Sequence, residues 1–169
     1  MKSLKKLYNT ALTQCYETGI PVSNRIVSVT VNRRVVRRWG QCSYNPITNS
    51  YTIEINARLL TDDVPDKSTL NTIVHELIHT CDGCMNHGTL WKYYANKMNQ
   101  KYGYHVQRTN SSTSLNAEPA PANYIVTCTN CGAEYRYMRK GKVVKLLEQR
   151  GENSGCRCGV CRSNKLIIK

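Results

Sequence analysis

The chain has 169 residues, with 24 Lys and Arg against 11 Asp and Glu, for a formal net charge of +13. Hydrophobic residues make up 40%, enough for a folded core, and apolar runs such as Leu166-Ile167-Ile168 fall far short of a membrane span. The basic residues near Met1 precede no continuous apolar stretch, so neither a secretory signal nor a membrane protein is expected, and the chain is assigned to the cytoplasm.

Leu4, Leu7, Tyr8, Ala11, Leu12, Cys15 and Tyr16 recur at three and four, which predicts an amphipathic helix ending near Gly19-Ile20-Pro21. Val27, Val29 and Val31 alternate with polar residues, as do Tyr51, Ile53 and Ile55, and both runs read as strands. The turn chemistry of Asn45-Pro46 and Asn49-Ser50 between them predicts an antiparallel pair. In the run Arg33-Arg34-Val35-Val36-Arg37-Arg38-Trp39, a strand would put Arg33 and Arg37 on one face and Arg34 and Arg38 on the other. Such a basic ribbon suits a nucleic-acid backbone or a substrate groove; a solvated hairpin is the plain alternative.

A second helix starts near Asp66 or Ser68, either of which could cap it, and carries the stripe Leu70, Ile73, Val74, Leu77 and Ile78. Gly83 is its natural stop. A third runs from about Thr89 to Tyr102, with Leu90, Trp91, Tyr94 and Met98 inward and Gly103 at its end. Residues 109–123 are small, polar and Pro-containing and read as a linker. The expected organisation is thus a domain over 1–108, a linker over 109–123 and a Cys-rich module over 124–169.

The second helix contains His75-Glu76-Leu77-Ile78-His79. Two His four apart share one helix face and can grip one Zn2+, with Glu76 beside the water that zinc acidifies. Zinc brings that water to a pKa of about 7, where a neighbouring carboxylate takes its proton. The third ligand cannot be a Glu of the next helix, because Asp82 is the only acid between His79 and Glu118. His87 can return to the metal if the chain reverses at Gly83, and His105 is the second choice. Cys81 and Cys84 sit in that loop as spare buried thiols, competing ligands or a redox pair, and Asp82 could orient a ligand His. Tyr93 and His105 are candidates for stabilising a tetrahedral intermediate.

Nine cysteines, an odd number, point to metal or redox chemistry rather than a disulfide framework. Cys128-Thr129-Asn130-Cys131-Gly132 and Cys158-Gly159-Val160-Cys161 have zinc-knuckle spacing, Cys156 being a possible substitute for Cys158. Strands are expected at Tyr135–Tyr137, at Val143–Leu147 and at Leu166–Ile168, making a three-stranded ribbon around a structural zinc. So small a module has too little core to fold without a staple. Residues 120–169 hold 10 Lys and Arg against 3 acids, and the first 119 hold 14 against 8, so charge is denser on the module. Arg136, Arg139, Lys140 and Lys142 interleave with or follow Tyr124, Tyr135 and Tyr137, which could stack on unpaired bases or simply pack in the sheet. The net charge suggests a polyanionic partner, most plausibly nucleic acid, or else a self-repelling surface.

Taken in order, the first helix, Arg37-Arg38-Trp39-Gly40-Gln41-Cys42, Ile53-Glu54-Ile55-Asn56, the His75–His79 motif, His87-Gly88-Thr89-Leu90-Trp91 and the ribbon resemble the SprT-like proteins. That family includes Spartan-type proteases, which cleave proteins crosslinked to DNA. The resemblance implies an α+β fold, a zincin-like helical domain with a small antiparallel sheet plus a C-terminal zinc ribbon. It implies a zinc metalloendopeptidase with His75, His79 and His87 as ligands of a catalytic zinc and Glu76 as general base. It also implies DNA-associated or DNA-crosslinked protein substrates, a DNA partner that includes single strands, and nucleoid association in a bacterium. Cys81 and Cys84 depart from the family pattern. The competing reading is a non-catalytic zinc-binding nucleic-acid or transcription-associated protein.

Overall fold

Leu7, Ala11 and Cys15, one turn apart, bury a single face of α1 (Leu4–Glu17), whose first turn is capped by Ser3 Oγ accepting from the Lys6 N–H. The computed structural model describes residues 1–35, 38–119 and 121–168. By its contacts the chain divides into two units, Met1–Pro119 and Ala120–Lys169.

In the first unit, β1 (Ile26–Asn32), β2 (Gly40–Asn45) and β3 (Ser50–Asn56) form a sheet in the order β1-β3-β2. β3 is central, and its Tyr51, Ile53 and Ile55 are buried. Asn45 Oδ1 accepts from the N–H groups of Ile47 and Thr48, and Asn49 takes a left-handed φ of 48°, so the turn read from sequence joins β2 to β3. β1 pairs with β3 in parallel, so the two apolar strands are not the antiparallel pair expected, and the sheet is mixed. The antiparallel partner, β2, has little apolar alternation of its own and gave no strand signal. A register shift between Ile26 and Ser28 turns Val27 out of the apolar row, and it is 68% exposed.

Among the described residues of the arginine run, 33–35 and 38–39 are not in a strand. Asn32 Oδ1 accepts from the N–H groups of Arg34 and Val35, which bends the chain and ends β1. Arg33, Arg34 and Arg38 are exposed on the connection to β2, and Arg37 lies outside the described residues.

A 3-10 turn (Ala57–Leu60) leads to α2 (Asp66–His79). This helix packs against α1, the sheet and α3 (Thr89–Tyr102), so its polar side is covered as well as its apolar stripe. Neither expected cap operates. The N-cap is Pro65, and Asp66 pairs with Lys2 at 2.8 Å. α3 buries Trp91, Ala95 and Met98, packs Tyr94 partly against the core, and leaves Leu90 at its exposed flank; Gly103, at φ +64°, ends it. A 3-10 turn (Thr113–Leu115) sinks Leu115 into the first core, and the first unit runs to Pro119.

The second unit contains β4 (Tyr124–Cys128), β5 (Glu134–Tyr137), α4 (Lys142–Arg150) and β6 (Leu166–Ile168), with an antiparallel sheet in the order β5-β4-β6. The strand expected at Val143–Leu147 is helical. Val144 and Leu147, three apart, are its buried contacts, and Gly141 and Gly151 bracket it. Tyr124, Tyr135 and Tyr137 pack on this unit's core, the sheet-packing alternative. Among the described residues no helix is long and apolar enough to cross a membrane.

Candidate metal centre

α2 carries His75 and His79 on one face, and the reversal at Gly83 (φ +74°) returns His87 to them. His75 Nε2 lies 3.2 Å from His79 Nε2 and 3.1 Å from His87 Nε2. Three nitrogens held tetrahedrally at 2.0–2.1 Å from zinc stand about 3.3 Å apart, so the spacing fits. His75 Nδ1 faces the Gln107 carbonyl at 3.0 Å, and His79 Nδ1 the Cys84 carbonyl at 2.7 Å. An N–H donated from each Nδ1 leaves the Nε2 lone pair for a metal. Burial, then the neighbouring imidazoles His79 and His87, pushes His75 down to about 3. Burial lowers His79 and His87 as well, which favours the neutral ring, the form a metal requires.

Trp91 walls the cluster, its ring centroid 4.8, 5.6 and 4.6 Å from those of His75, His79 and His87. Sequence spacing identified Trp91 only as core. Glu76, 5% exposed, lines a cleft of about 190 Å³ with His75, Gly40, Arg38 and Arg108. β2 closes on it so tightly that a Cβ at Gly40 would stand 2.5 Å from Glu76 Oε1. Only glycine fits there, a role with no local sequence signal. Burial pushes the Glu76 carboxyl up to about 8, against the Cys42 N–H and the Arg38 charge, which lower it. The cleft wall is fixed by Trp39, whose Nε1 donates to the Asn110 carbonyl at 3.1 Å while Arg58 stacks 4.3 Å above the ring.

The remaining candidates separate clearly. Cys81 and Cys84 are buried in the core, and burial pushes the Cys81 thiol up to about 12 and raises Cys84 as well, which disfavours the reactive thiolate. Cys84 serves the site through its carbonyl instead. Asp82 pairs with Arg25 at 3.4 Å rather than with a histidine. His105 lies outside the cluster, its backbone N–H bound to Asn71 Oδ1 at 2.8 Å. Tyr93 is 57% exposed with Lys97 above its ring, and it does not line the Glu76 cleft.

In the second unit Cys128, Cys131, Cys158 and Cys161 converge. Their Sγ atoms stand 3.6 Å apart in the pairs Cys128–Cys161 and Cys131–Cys158. Four thiolates at about 2.3 Å from zinc give nearly that spacing. The Tyr135 hydroxyl donates to Cys158 Sγ at 3.1 Å and accepts from the Gly159 N–H at 2.7 Å. Cys156 is outside the group. Each knuckle ends in a left-handed residue, Gly132 (φ +73°) in one and Arg162 (φ +63°) in the other. Arg136 pairs with Glu134 and Lys140 with Glu148, while Arg139 and Lys142 are exposed.

The profile of the family described as SprT-like matches residues 3–114. Comparison with curated proteins and with solved structures gives no match.

Proposed function

This chain belongs to the SprT-like family, and from that premise we propose that it is a zinc-dependent metalloendopeptidase of the HExxH type. The observation that carries the proposal is the convergence of three imidazole ring nitrogens, with one of those rings, His75, lining a cleft together with the buried Glu76 carboxyl. His75, His79 and His87 would hold the zinc. When bound, zinc supplies Lewis acidity, lowering the pKa of water to about 7 and polarising a carbonyl. Glu76 takes a proton from the attacking water as the water oxygen bonds the scissile carbonyl carbon. It returns that proton to the amide nitrogen as the C–N bond breaks. Gly40 lets β2 hold the Glu76 carboxylate against the cleft, and Trp91 keeps water from the back of the histidines. Cys128, Cys131, Cys158 and Cys161 would hold a second, structural zinc in a closed set of four ligands.

We extend the proposal to protein substrates bound or crosslinked to DNA. Support comes from the +13 net charge and from Arg33, Arg34 and Arg38 on the connection to β2, Arg38 lining the cleft itself. The basic residues Arg136, Arg139, Lys140 and Lys142 would add a second surface. Free thiols at all nine cysteines agree with a reducing compartment, the cytoplasm. The test is cleavage of a DNA-binding protein, with and without single-stranded DNA, by wild type and Glu76→Gln. Both should carry two zinc ions, and cleavage should fall about 10²- to 10⁴-fold in the variant. Equal behaviour with two zincs bound would leave a non-hydrolytic zinc protein. DNA affinity should drop steeply with salt, and a salt-independent affinity would remove DNA from the proposal.

A further inference from the structure

A second cleft, of about 250 Å³, lies between the start of α2 and the chain that follows α3. Lys67, Ser68, Asn71, His105, Asn110 and Asn116 bring hydrogen-bond donors to its lining, which holds no carboxylate among the described residues. Asn71 is 5% exposed. Its Oδ1 accepts the His105 N–H, which fixes the orientation of the amide and leaves the buried Nδ2 without a partner. A buried donor in that state is costly, and an acceptor oxygen brought by a ligand would relieve it.

The start of α2 points to the same chemistry. Pro65 offers no side-chain acceptor; its carbonyl accepts the Ser68 N–H at 3.0 Å, which leaves the N–H groups of Asp66 and Lys67 as the uncapped donors at the positive end of the helix dipole. The acid of that turn, Asp66, is paired with Lys2. The Lys67 ammonium folds over Gly103, where a Cβ would stand 3.1 Å from Nζ, which sets the charge at the cleft's edge.

We propose that this cleft binds a phosphate group. A tetrahedral phosphate offers acceptor oxygens in several directions, matching donors that come from a helix terminus, a lysine and a buried amide. Asn110 lines this cleft and the one holding Glu76, so the phosphate is separated from the peptidase cleft by a shared wall. Inorganic phosphate and a phosphate of a nucleic-acid strand share the required chemistry.

The test uses the zinc-loaded full chain labelled with ¹⁵N and titrated with inorganic phosphate at constant ionic strength. The Ser68 and His105 backbone signals and the Asn71 side-chain amide should shift together and saturate. Lys67→Ala, an exposed change that leaves the core intact, should weaken that response about tenfold. A parallel titration with a short single-stranded oligonucleotide separates the sources. Shifts at the same three residues put a strand phosphate in the cleft, and their absence assigns the site to free phosphate. No saturable shift with either probe overturns the proposal, as does a response to chloride equal to that for phosphate. A shift that Lys67→Ala and Ser68→Ala both leave unchanged overturns it too.

Discussion

His75 and His79 of the first unit ride on α2, a helix already gripped by α1, α3 and the sheet, whereas Cys128 and Cys158 of the second unit are part of the core itself. Val126, Cys128, Val144, Leu147, Cys158 and Leu166 form that smaller core, and two of the six are candidate ligands. The first unit can therefore fold by apolar burial and receive a metal afterwards. The second has too little apolar surface to stand without one. Under the proposed function, the contrast sets metal as a reagent in the first unit and as a staple in the second.

Chelation should separate the two units most strongly. Removing zinc should cost the second unit on the order of 10 kcal/mol and abolish its amide protection. Both tryptophans, Trp39 and Trp91, belong to the first unit, so Trp fluorescence reports that unit alone, and its unfolding transition should survive. A second unit that keeps its protection without metal would break the comparison. Cys158→Ser should reproduce the loss with the first unit intact.

A smaller effect tests the idea that the first unit bears the burden of its own site. Burial raises the Glu76 carboxyl from 4.5 to about 8, so the folded state holds the proton more tightly than the unfolded chain does. Ionisation therefore erodes stability as pH climbs from about 4.5 towards 8. In zinc-free protein, Glu76→Gln should be more stable than wild type by a margin that widens over that window. Parallel stability curves for the two, followed by Trp fluorescence, would dismiss the buried charge.

Gly40→Ala forces a Cβ against Glu76 Oε1 and should destabilise the first unit by about 1–3 kcal/mol while lowering peptidase activity. Unchanged stability and activity would mean that β2 can retreat. The mildest change sits in the second unit. Arg162→Gly relieves a left-handed backbone and should gain a few tenths to about 1 kcal/mol there, read from amide exchange, with the first unit unaffected. A loss would instead assign the Arg162 side chain a supporting contact.

Much of this was legible in the sequence. Helical spacing located α1, α2 and α3, and the pairing of His75 with His79 followed from helix geometry alone. His87 followed by eliminating other ligands, and the knuckle spacing chose Cys158 over Cys156. What escaped depended on partners distant in sequence. Val143-Val144 looks like a strand because both are β-branched, and only packing of Val144 and Leu147 on the small core makes that segment a helix. The parallel pairing of β1 was hidden because β2, lying between it and β3 in sequence, carries no apolar pattern. Leu115 is a lone apolar residue in a polar stretch, so its burial could not be read from local composition. The roles of Gly40, Trp91 and the Cys84 carbonyl are three-dimensional contacts with no local signature.

The loop between His79 and His87 has one further consequence. It contains seven residues, 80–86, and is nailed down by the buried Cys81 and Cys84 side chains, with the Cys84 carbonyl facing His79 Nδ1. The third imidazole is therefore held at a high effective concentration beside the other two, and little loop entropy remains to be lost when an ion arrives. The same tether governs departure. An ion held there would leave faster if the Cys81–Cys84 anchor lifted out of the core, which would tie its exchange rate to the local opening of that loop.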